Sequence, residues 1–328
     1  MIITKTPLRV SFCGGGSDIA SYYREHGGCV LSTSINKYMF IMIHPYFHEG
    51  TTVLKYSKTE VVRDIRDIEH RIFHSVLTMY DLNGVELTSM ADIPAGTGLG
   101  SSSSFTVGLL HTVNAYMGKL VSKPKLAEMA CEIEISQLGS PIGKQDQYAA
   151  AMGGLNFIRF NTNDSVTVEP LLINKRITDE LQDNLLMFYT GEVRNANEIL
   201  TEQTVNSTKS DKIDNIKQMC RLAEIMKEEL ENENLTAFGD ILNESWQLKK
   251  TLATGISSSY LDDIYDTAIK NGAKGGKLLG AGGAGFFLFY CEKEKQDNLR
   301  NALKLKELPF GFENDGTSII FVGDKYWD

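Results

Sequence analysis

A glycine- and serine-rich segment, Ile93–Val107, constrains the fold of this 328-residue chain more than any other feature. It contains three glycines at alternate positions, followed by four consecutive serines: Gly96, Gly98, Gly100 and Ser101–Ser104. Residues 85–90 before it have the composition of a strand, and residues 103–117 after it repeat apolar side chains at helical spacing. The pattern therefore predicts a strand, a glycine loop and the start of a helix, in that order.

A glycine loop that opens a helix is a natural anion site. Glycine lets the backbone approach a phosphate closely, and the N–H groups of a first helical turn have no partner within the helix. Serine hydroxyls can cap those donors, bind phosphate oxygens or reach a cation. An ordinary capped loop is the alternative, but three glycines and four serines exceed what capping requires. We interpret the segment as a phosphate-binding loop.

The overall composition restricts the class of partner. The chain carries 33 basic and 42 acidic residues, a formal net charge of −9, which disfavours nucleic acid or an anionic membrane as its main partner. No apolar run approaches the roughly 20 residues that a membrane-spanning helix needs. The five cysteines are widely spaced without a C-x-x-C pair, which is typical of reduced thiols. We expect a cytoplasmic protein with a small-molecule substrate.

The order of elements predicts an α+β protein with two parts. We place a soft boundary near residue 175, which gives domains 1–175 and 176–328. The first part mixes strands and helices, and the second is rich in helices whose charged residues are typical of solvated faces. The predicted strands are 2–12, 28–34, 38–44, 53–57, 85–90, 155–160, 166–172, 185–190, 285–291 and 318–322. The predicted helices are 67–82, 103–117, 125–136, 145–152, 195–206, 212–232, 235–250, 259–271 and 292–303.

Two more glycine clusters flank the central loop in sequence. The first, Cys13–Asp18, follows a strand, and its Asp18 could either bind a ligand or cap the next helix. The other, Gly275–Gly285, satisfies G-x-G-x-x-G at its end, but a dinucleotide turn requires a helix after the glycines. The residues that follow, Phe286–Tyr290, have the composition of a buried strand. We therefore reject a dinucleotide-binding turn.

Two carboxylates lie on either side of a glycine and proline turn. Glu134 ends one predicted helix, and Asp146 begins the next, so the turn could bring both to one cleft. A phosphate loop beside two carboxylates suits Mg²⁺-dependent phosphoryl transfer, with one carboxylate for the metal and one for the hydroxyl proton. Carboxylates are also common on protein surfaces, so spacing alone leaves both assignments open.

The three clusters together resemble the GHMP kinases, a family of small-molecule kinases. Their central loop has the form P-x-x-x-G-L-G-S-S, which stands here at Pro94–Ser102. Their N-terminal motif resembles Thr6–Val10 continued through Gly14 and Asp18, and their C-terminal glycine motif resembles Lys277–Gly285. The resemblance covers essentially the whole chain. It implies an N-terminal mixed α/β domain with the phosphate loop and a C-terminal helix-rich, ferredoxin-like α+β domain.

The resemblance also implies roles for individual residues. Asp146, in the pattern G-x-x-D-Q, would be the catalytic aspartate, with Arg9 beside it. Ser102 and Glu134 would hold Mg²⁺. ATP would bind the central loop through residues that surround its phosphates: Pro94, Gly96, Thr97, Gly98, Leu99, Gly100, Ser101, Ser102 and Ser103.

Within the family, the chain is most similar to bacterial D-glycero-D-manno-heptose 7-phosphate kinases. The tracts that carry this likeness are P-L-R-V-S-F-x-G-G-G-[ST]-D, the stretch from Lys144 to Ala151, and Gly275–Gly283, and Thr190–Ala196 resembles a further tract of that group. The implied reaction phosphorylates the anomeric hydroxyl of the sugar phosphate. Lys144 and Arg194 are our candidate partners for its existing phosphate. The full set of predicted substrate residues is Gly15, Gly16, Ser17, Asp18, Lys144, Asp146, Arg194, Gly282 and Gly283.

Two alternatives stay open. The acceptor could be fucose or another hexose, because specificity depends on pocket contacts that the sequence does not show. A catalytically silent sensor of sugar and ATP on the same fold is the other reading, since a fold does not fix a function. The retention of Arg9, Ser102, Glu134 and Asp146 disfavours the sensor. The protein is expected to be a monomer or a homodimer.

Overall fold

The computed structural model describes residues 1–191 and 197–323, which form two β-sheets with helices packed on them. The strands are β1 (Ile2–Cys13), β2 (Gly28–Pro45), β3 (Thr52–Lys55), β4 (Thr59–Val62), β5 (Val85–Ala91), β6 (Leu155–Phe160), β7 (Val166–Pro170), β8 (Leu185–Tyr189), β9 (Ala273–Leu278), β10 (Phe286–Cys291), β11 (Lys306–Glu307) and β12 (Ser318–Val322). The helices are α1 (Ala20–His26), α2 (Arg71–Tyr80), α3 (Ser101–Tyr116), α4 (Lys123–Cys131), α5 (Gln145–Met152), α6 (Lys175–Asp183), α7 (Asn197–Asn206), α8 (Ser210–Glu231), α9 (Phe238–Lys250), α10 (Ser259–Lys270) and α11 (Gln296–Leu303). None of these helices is both long and apolar enough to cross a membrane.

The first sheet has eight strands built around the long strand β2. One half of β2 pairs with β6 and the other with β5, while β1 runs antiparallel along both halves. The sequence predicted two strands here with a break between them. The register shift explains that break, because Pro7 faces Tyr38 and the next residue, Leu8, faces Ile35. Residues 36 and 37 are thus bulged out of a strand that continues past them.

The second sheet is antiparallel, in the order β11-β8-β10-β9. Counted along the chain this is fourth, first, third, second, which is the ferredoxin-like arrangement that the resemblance implied. β10 is an unbroken apolar run because both of its faces are buried. Phe287 and Phe289 pack into a cluster with α10 and α11, and Leu288 packs into a cluster with Leu8 and Val10 of the first sheet.

The two sheets are joined by more than this shared core. After β11 the chain returns to the first sheet, where β12 pairs with β1. The loop before α3 also meets the loop between β9 and β10. A Cβ added at Gly98 would lie 2.3 Å from the carbonyl oxygen of Leu279, and one at Gly285 would lie 2.4 Å from that of Thr97. Two glycine clusters that are far apart in sequence therefore pack backbone to backbone. The domain boundary at residue 175 stays a prediction.

Candidate functional site

A cleft of about 230 Å³ lies where the central loop, the Cys13–Asp18 turn and the second sheet meet. Most of the side chains that the sequence singled out line it. The predicted site residues in its wall are Arg9, Gly15, Gly16, Asp18, Gly96, Gly98, Gly100, Ser101, Ser102, Ser103, Glu134 and Asp146. Residues up to 137 positions apart in sequence thus share one site.

Arg9 and Asp146 form a two-pronged ion pair in this cleft. Arg9 Nε donates to Asp146 Oδ1 at 2.7 Å, and Arg9 Nη2 donates to Oδ2 at 2.6 Å. The guanidinium is itself fixed, since its Nη1 donates to the carbonyl of Gly98 at 2.6 Å. A planar guanidinium that bonds both oxygens of a carboxylate fixes the orientation of that carboxylate and also pairs its charge. The arrangement holds the Asp146 carboxylate at the start of α5 beside the phosphate-binding loop.

The central loop ends at Gly100, whose left-handed backbone (φ 77°) turns the chain into α3. The side chains of Arg9 and Asp146 lie against it, because a Cβ at Gly100 would be 3.2–3.4 Å from their atoms. Its lack of a side chain leaves the N-terminus of α3 open toward the ion pair. The free N–H groups and positive dipole end of this helix therefore face the cleft where an anion can bind.

Glu134 is almost completely buried and reaches the same helix end. It lies in a π-helical turn, Glu132–Gln137, which continues α4, with the N–H of Leu138 bonded to the carbonyl of Ile133. Such wide turns occur often at functional sites. Its carboxylate accepts hydrogen bonds from three side chains: Ser102 Oγ at 2.9 Å, Ser103 Oγ at 2.8 Å and Gln147 Nε2 at 2.7 Å. Burial raises the pKa of Glu134, and the three donors oppose that shift.

Glu134 and Ser102 fit a divalent cation. Both offer oxygen, the ligand atom that Mg²⁺ prefers, and both face the cleft next to the predicted phosphate site. In kinases Mg²⁺ is usually held by one or two carboxylates together with substrate phosphates. In the parts of the chain that the structure describes, no cluster of three or more histidine, cysteine or acidic side chains could bind a metal alone. The two oxygen ligands, Glu134 and Ser102, therefore suit an ion that arrives with a phosphorylated ligand.

Asp18 also lines the cleft, close to Asp146. It is buried, and its carboxylate accepts from the backbone N–H of Gly16 at 3.0 Å and of Gln145 at 3.3 Å. The chain can pass so close only because residue 143 is glycine, since a Cβ there would be 1.9 Å from Asp18 Oδ2. Burial and the nearby charge of Asp146 raise the pKa of Asp18. The carboxylate thus faces the cleft as a fixed hydrogen-bonding group.

Some of the predicted loop residues do not line the cleft and instead support the shape of the loops. Thr97 is buried and donates to the carbonyl of Pro94, and Leu99 belongs to the core while its carbonyl accepts from the N–H of Arg9. Ser17 bonds to the backbone of Gly14 and Cys29. These contacts hold the shape of the two loops.

Three of the predicted substrate residues, Lys144, Gly282 and Gly283, do not line the cleft. Lys144 turns into a neighbouring cavity, where its Nζ donates to the carbonyl of Asp164 at 2.9 Å and lies over the ring of Tyr23. Residues 282 and 283 pack against Ile256. Arg194 lies outside the described residues. The direct substrate roles of these residues stay predictions.

Several cleft residues were missed by the sequence reasoning. Lys249, Lys277, Ser11 and Gln145 all line the cleft. Lys249 was included in a helix with solvated charged faces, yet only 7% of it is exposed. The one signal in the sequence that pointed to any of these four residues was the position of Lys277, shortly before the glycines that begin at Gly280.

An open helix N-terminus with two carboxylates beside it, on two sheets of this topology, is typical of phosphoryl-transfer enzymes. The comparison with known proteins makes the class specific. Residues 61–154 match the model of the GHMP kinases N terminal domain, and residues 226–307 match that of the GHMP kinases C terminal domain. The chain belongs to the GHMP kinase family, and its two-domain α+β fold is the one expected from the sequence.

Full-length relatives agree with this assignment. The chain is 31% identical to the D-glycero-alpha-D-manno-heptose 7-phosphate kinase of Campylobacter jejuni, over 99% of this chain and 98% of that one. It is 27% identical to the bifunctional fucokinase/GDP-fucose pyrophosphorylase of Arabidopsis thaliana, over 91% of this chain but 30% of that protein. Among solved structures it is similar to a D-glycero-D-manno-heptose 1-phosphate kinase from Bacteroides thetaiotaomicron, with TM-score 0.82, 28% identity and coverage of 99% and 100%.

Proposed function

We propose that this kinase transfers the γ-phosphoryl group of ATP to the anomeric hydroxyl of D-glycero-D-manno-heptose 7-phosphate, which gives the 1,7-bisphosphate. The observation that carries the chemistry is the Arg9–Asp146 fork, which lies against Gly100 at the start of α3. The acceptor rests on the full-length likeness to the Campylobacter jejuni enzyme. A product of this kind would suit synthesis of a nucleotide-activated heptose.

The donor would occupy the side of the cleft formed by the central loop. Free N–H groups at the start of α3 and the hydroxyl of Ser101 would bind the triphosphate. Ser102 and Glu134 would hold Mg²⁺, which when bound neutralises charge on the β- and γ-phosphates. The buried Glu134 carboxylate already has fixed neighbours, so little reordering is needed when it binds the ion.

The acceptor hydroxyl would lie against Asp146. Arg9 fixes both oxygens of that carboxylate, so the hydroxyl can be oriented toward the donor and its proton accepted there. The guanidinium also provides positive charge next to the transferring group. An anomeric hydroxyl is more acidic than an ordinary alcohol, so the orienting role of Asp146 carries much of the effect. Asp18, which lies nearby in the cleft wall, would accept hydrogen bonds from other sugar hydroxyls.

A coupled assay of ADP release tests this function. Purified protein is given ATP and Mg²⁺ with one acceptor at a time: the heptose 7-phosphate, the unphosphorylated heptose, fucose, galactose and mevalonate. We expect the highest kcat/KM for the heptose 7-phosphate. A higher kcat/KM for fucose or a hexose would replace the proposed acceptor. Binding of ATP and sugar without ADP release from any acceptor would favour the silent sensor and refute the kinase.

A further inference from the structure

Two buried lysines face the cleft without a catalytic role in the proposed mechanism. Lys249 is the next-to-last residue of α9, and Lys277 lies in β9, and each is 7% exposed. Fully buried lysines are rare in proteins unless a carboxylate or another acceptor compensates the charge. Two lysines buried in the wall of a ligand cleft therefore need an acceptor that compensates their charge.

The structure supplies little compensation. Lys249 Nζ donates to Gln203 Oε1 at 3.0 Å and lies 3.5 Å from the carbonyl of Gly15, while Asp18 acts on it only at longer range. In the described part of the chain, Lys277 Nζ has neither an ion pair nor a hydrogen-bond acceptor. The ionisable groups that face it are the Cys13 thiol, Lys249 and Arg9. The two basic groups that act on Lys277, Lys249 and Arg9, both carry positive charge.

The pKa shifts of the two lysines agree with this weak compensation. Burial lowers the pKa of Lys249 to about 8, and burial together with the charges of Lys249 and Arg9 lowers the pKa of Lys277 to about 7. A bound anion would favour the charged forms of both lysines and reverse these shifts. The site is therefore poised to bind negative charge.

Neutral donors and acceptors stand beside the lysines. Ser11 is buried, and its hydroxyl finds no partner among the described residues, as is also true of the Gln145 side-chain oxygen. Both side chains line the cleft next to Gly15, whose added Cβ would lie 3.7 Å from Ser11 Oγ and from Gln145 Nε2. A buried hydroxyl without a partner costs free energy unless a ligand bonds to it. Ser11 thus marks a ligand position.

We propose that Lys249 and Lys277, with Ser11, form an anion subsite that binds the phosphate which the sugar acceptor already carries. The inference rests on the proposed function and names the residues that recognise the phosphate of its substrate. Lys249 belongs to the acceptor side, because it contacts Gly15 and interacts with Asp18. ATP phosphates would instead meet the N-terminus of α3 and Ser101. Lys144, bonded to Asp164, is not needed for this role.

The test compares Lys249→Met, Lys277→Met and the control Lys250→Met. Methionine keeps the length of the side chain without its charge. Lys250 precedes the loop after α9 and pairs with Asp262 outside the cleft. For each protein, kcat/KM is measured with the heptose 7-phosphate, with the unphosphorylated heptose and with ATP. Inorganic phosphate is also tested as a competitive inhibitor against the acceptor, and thermal unfolding verifies that each variant is folded.

We expect each cleft variant to lower kcat/KM for the phosphorylated acceptor at least about 10-fold, the loss of a charge-assisted hydrogen bond. Values for the unphosphorylated heptose and ATP should stay near those of the wild type. Inhibition by phosphate should weaken in the cleft variants and persist in Lys250→Met. Equal losses for both sugars, or a higher KM for ATP alone, would overturn the subsite.

The outcomes separate this inference from the function on which it rests. Turnover of the heptose 7-phosphate with unchanged kinetics in both cleft variants would refute the subsite and leave the function intact. If the wild type instead uses another sugar, the proposed acceptor is wrong. Lysine-dependent competition by inorganic phosphate against that sugar would then support the anion subsite, and its absence would refute it.

Discussion

Replacement of Asp146 by asparagine tests the centre of the proposed mechanism. The pair is largely buried, with side-chain exposures of 5% for Arg9 and 23% for Asp146. Loss of one partner of a buried pair costs about 3–5 kcal/mol. Asparagine keeps the volume and one acceptor oxygen, and Asp146 is partly solvated, so we expect about 1–3 kcal/mol of lost stability. The protein should therefore remain folded at ambient temperature.

The kinetic effect should be much larger than the structural one. Removal of a residue that orients the hydroxyl and accepts its proton costs about 10²–10⁴-fold in rate, so we expect kcat to fall by at least about 100-fold. The assay is coupled ADP release, with ATP affinity measured separately by titration calorimetry. Affinity for ATP should be retained, because the helix end proposed to bind the phosphates is unchanged.

Asp164→Asn is the matched control. Asp164 also accepts hydrogen bonds from an arginine, Arg24, but it is exposed and remote from the helix end of α3. This variant should keep kcat near the wild-type value. A folded Asp146→Asn enzyme with nearly normal turnover would refute the assignment of Asp146, and a parallel loss in both variants would show that the effect is not specific to the cleft.

Three further perturbations test other parts of the structure. Gly98→Ala should destabilise the protein more than Gly84→Ala in thermal unfolding, because both glycines have positive φ but only the first would place its Cβ 2.3 Å from the carbonyl of Leu279; equal losses would contradict the loop contact. Glu134→Ala should raise the Mg²⁺ concentration needed for half-maximal rate, and an unchanged Mg²⁺ dependence would remove Glu134 from the metal site. Burial lowers the pKa of Lys277 to about 7, below its ordinary 10.5, so the unfolded chain binds more protons between these values and wild-type stability rises with pH there. The stability advantage of Lys277→Met over the wild type should thus grow as pH falls from about 10 to 7 and level off below; a pH-independent difference would contradict the buried charge.

The sequence predicted the features that depend on local pattern. The strand, glycine loop and helix around Gly100 were found correctly, since glycine spacing and apolar periodicity are local signals. Rejection of a dinucleotide turn after Gly285 was also correct, because strand β10 follows directly. The proximity of Glu134 and Asp146 to one helix end is confirmed by geometry, and their chemical roles stay predictions.

Features that depend on tertiary contacts could not be predicted in the same way. The π-helical turn that carries Glu134 leaves no periodicity distinct from that of α4. The predicted helix over residues 235–250 was correct in kind, but the burial of Lys249 depends on a loop more than 230 positions away. Lys144 was chosen as a cation within a tract that resembles the heptose 7-phosphate kinases, yet its side chain turns toward Asp164, a contact that the local sequence does not indicate.

The most direct test of the central claim is the identity of the product. Incubation with ATP, Mg²⁺ and D-glycero-D-manno-heptose 7-phosphate, followed by phosphorus NMR, shows where the new phosphate is attached. We predict one additional sugar phosphate resonance coupled to the anomeric proton, formed in a 1:1 ratio with ADP while the 7-phosphate signal persists. A new phosphate on any other carbon, or ATP consumption without a second sugar phosphate signal, would contradict anomeric phosphoryl transfer by this protein.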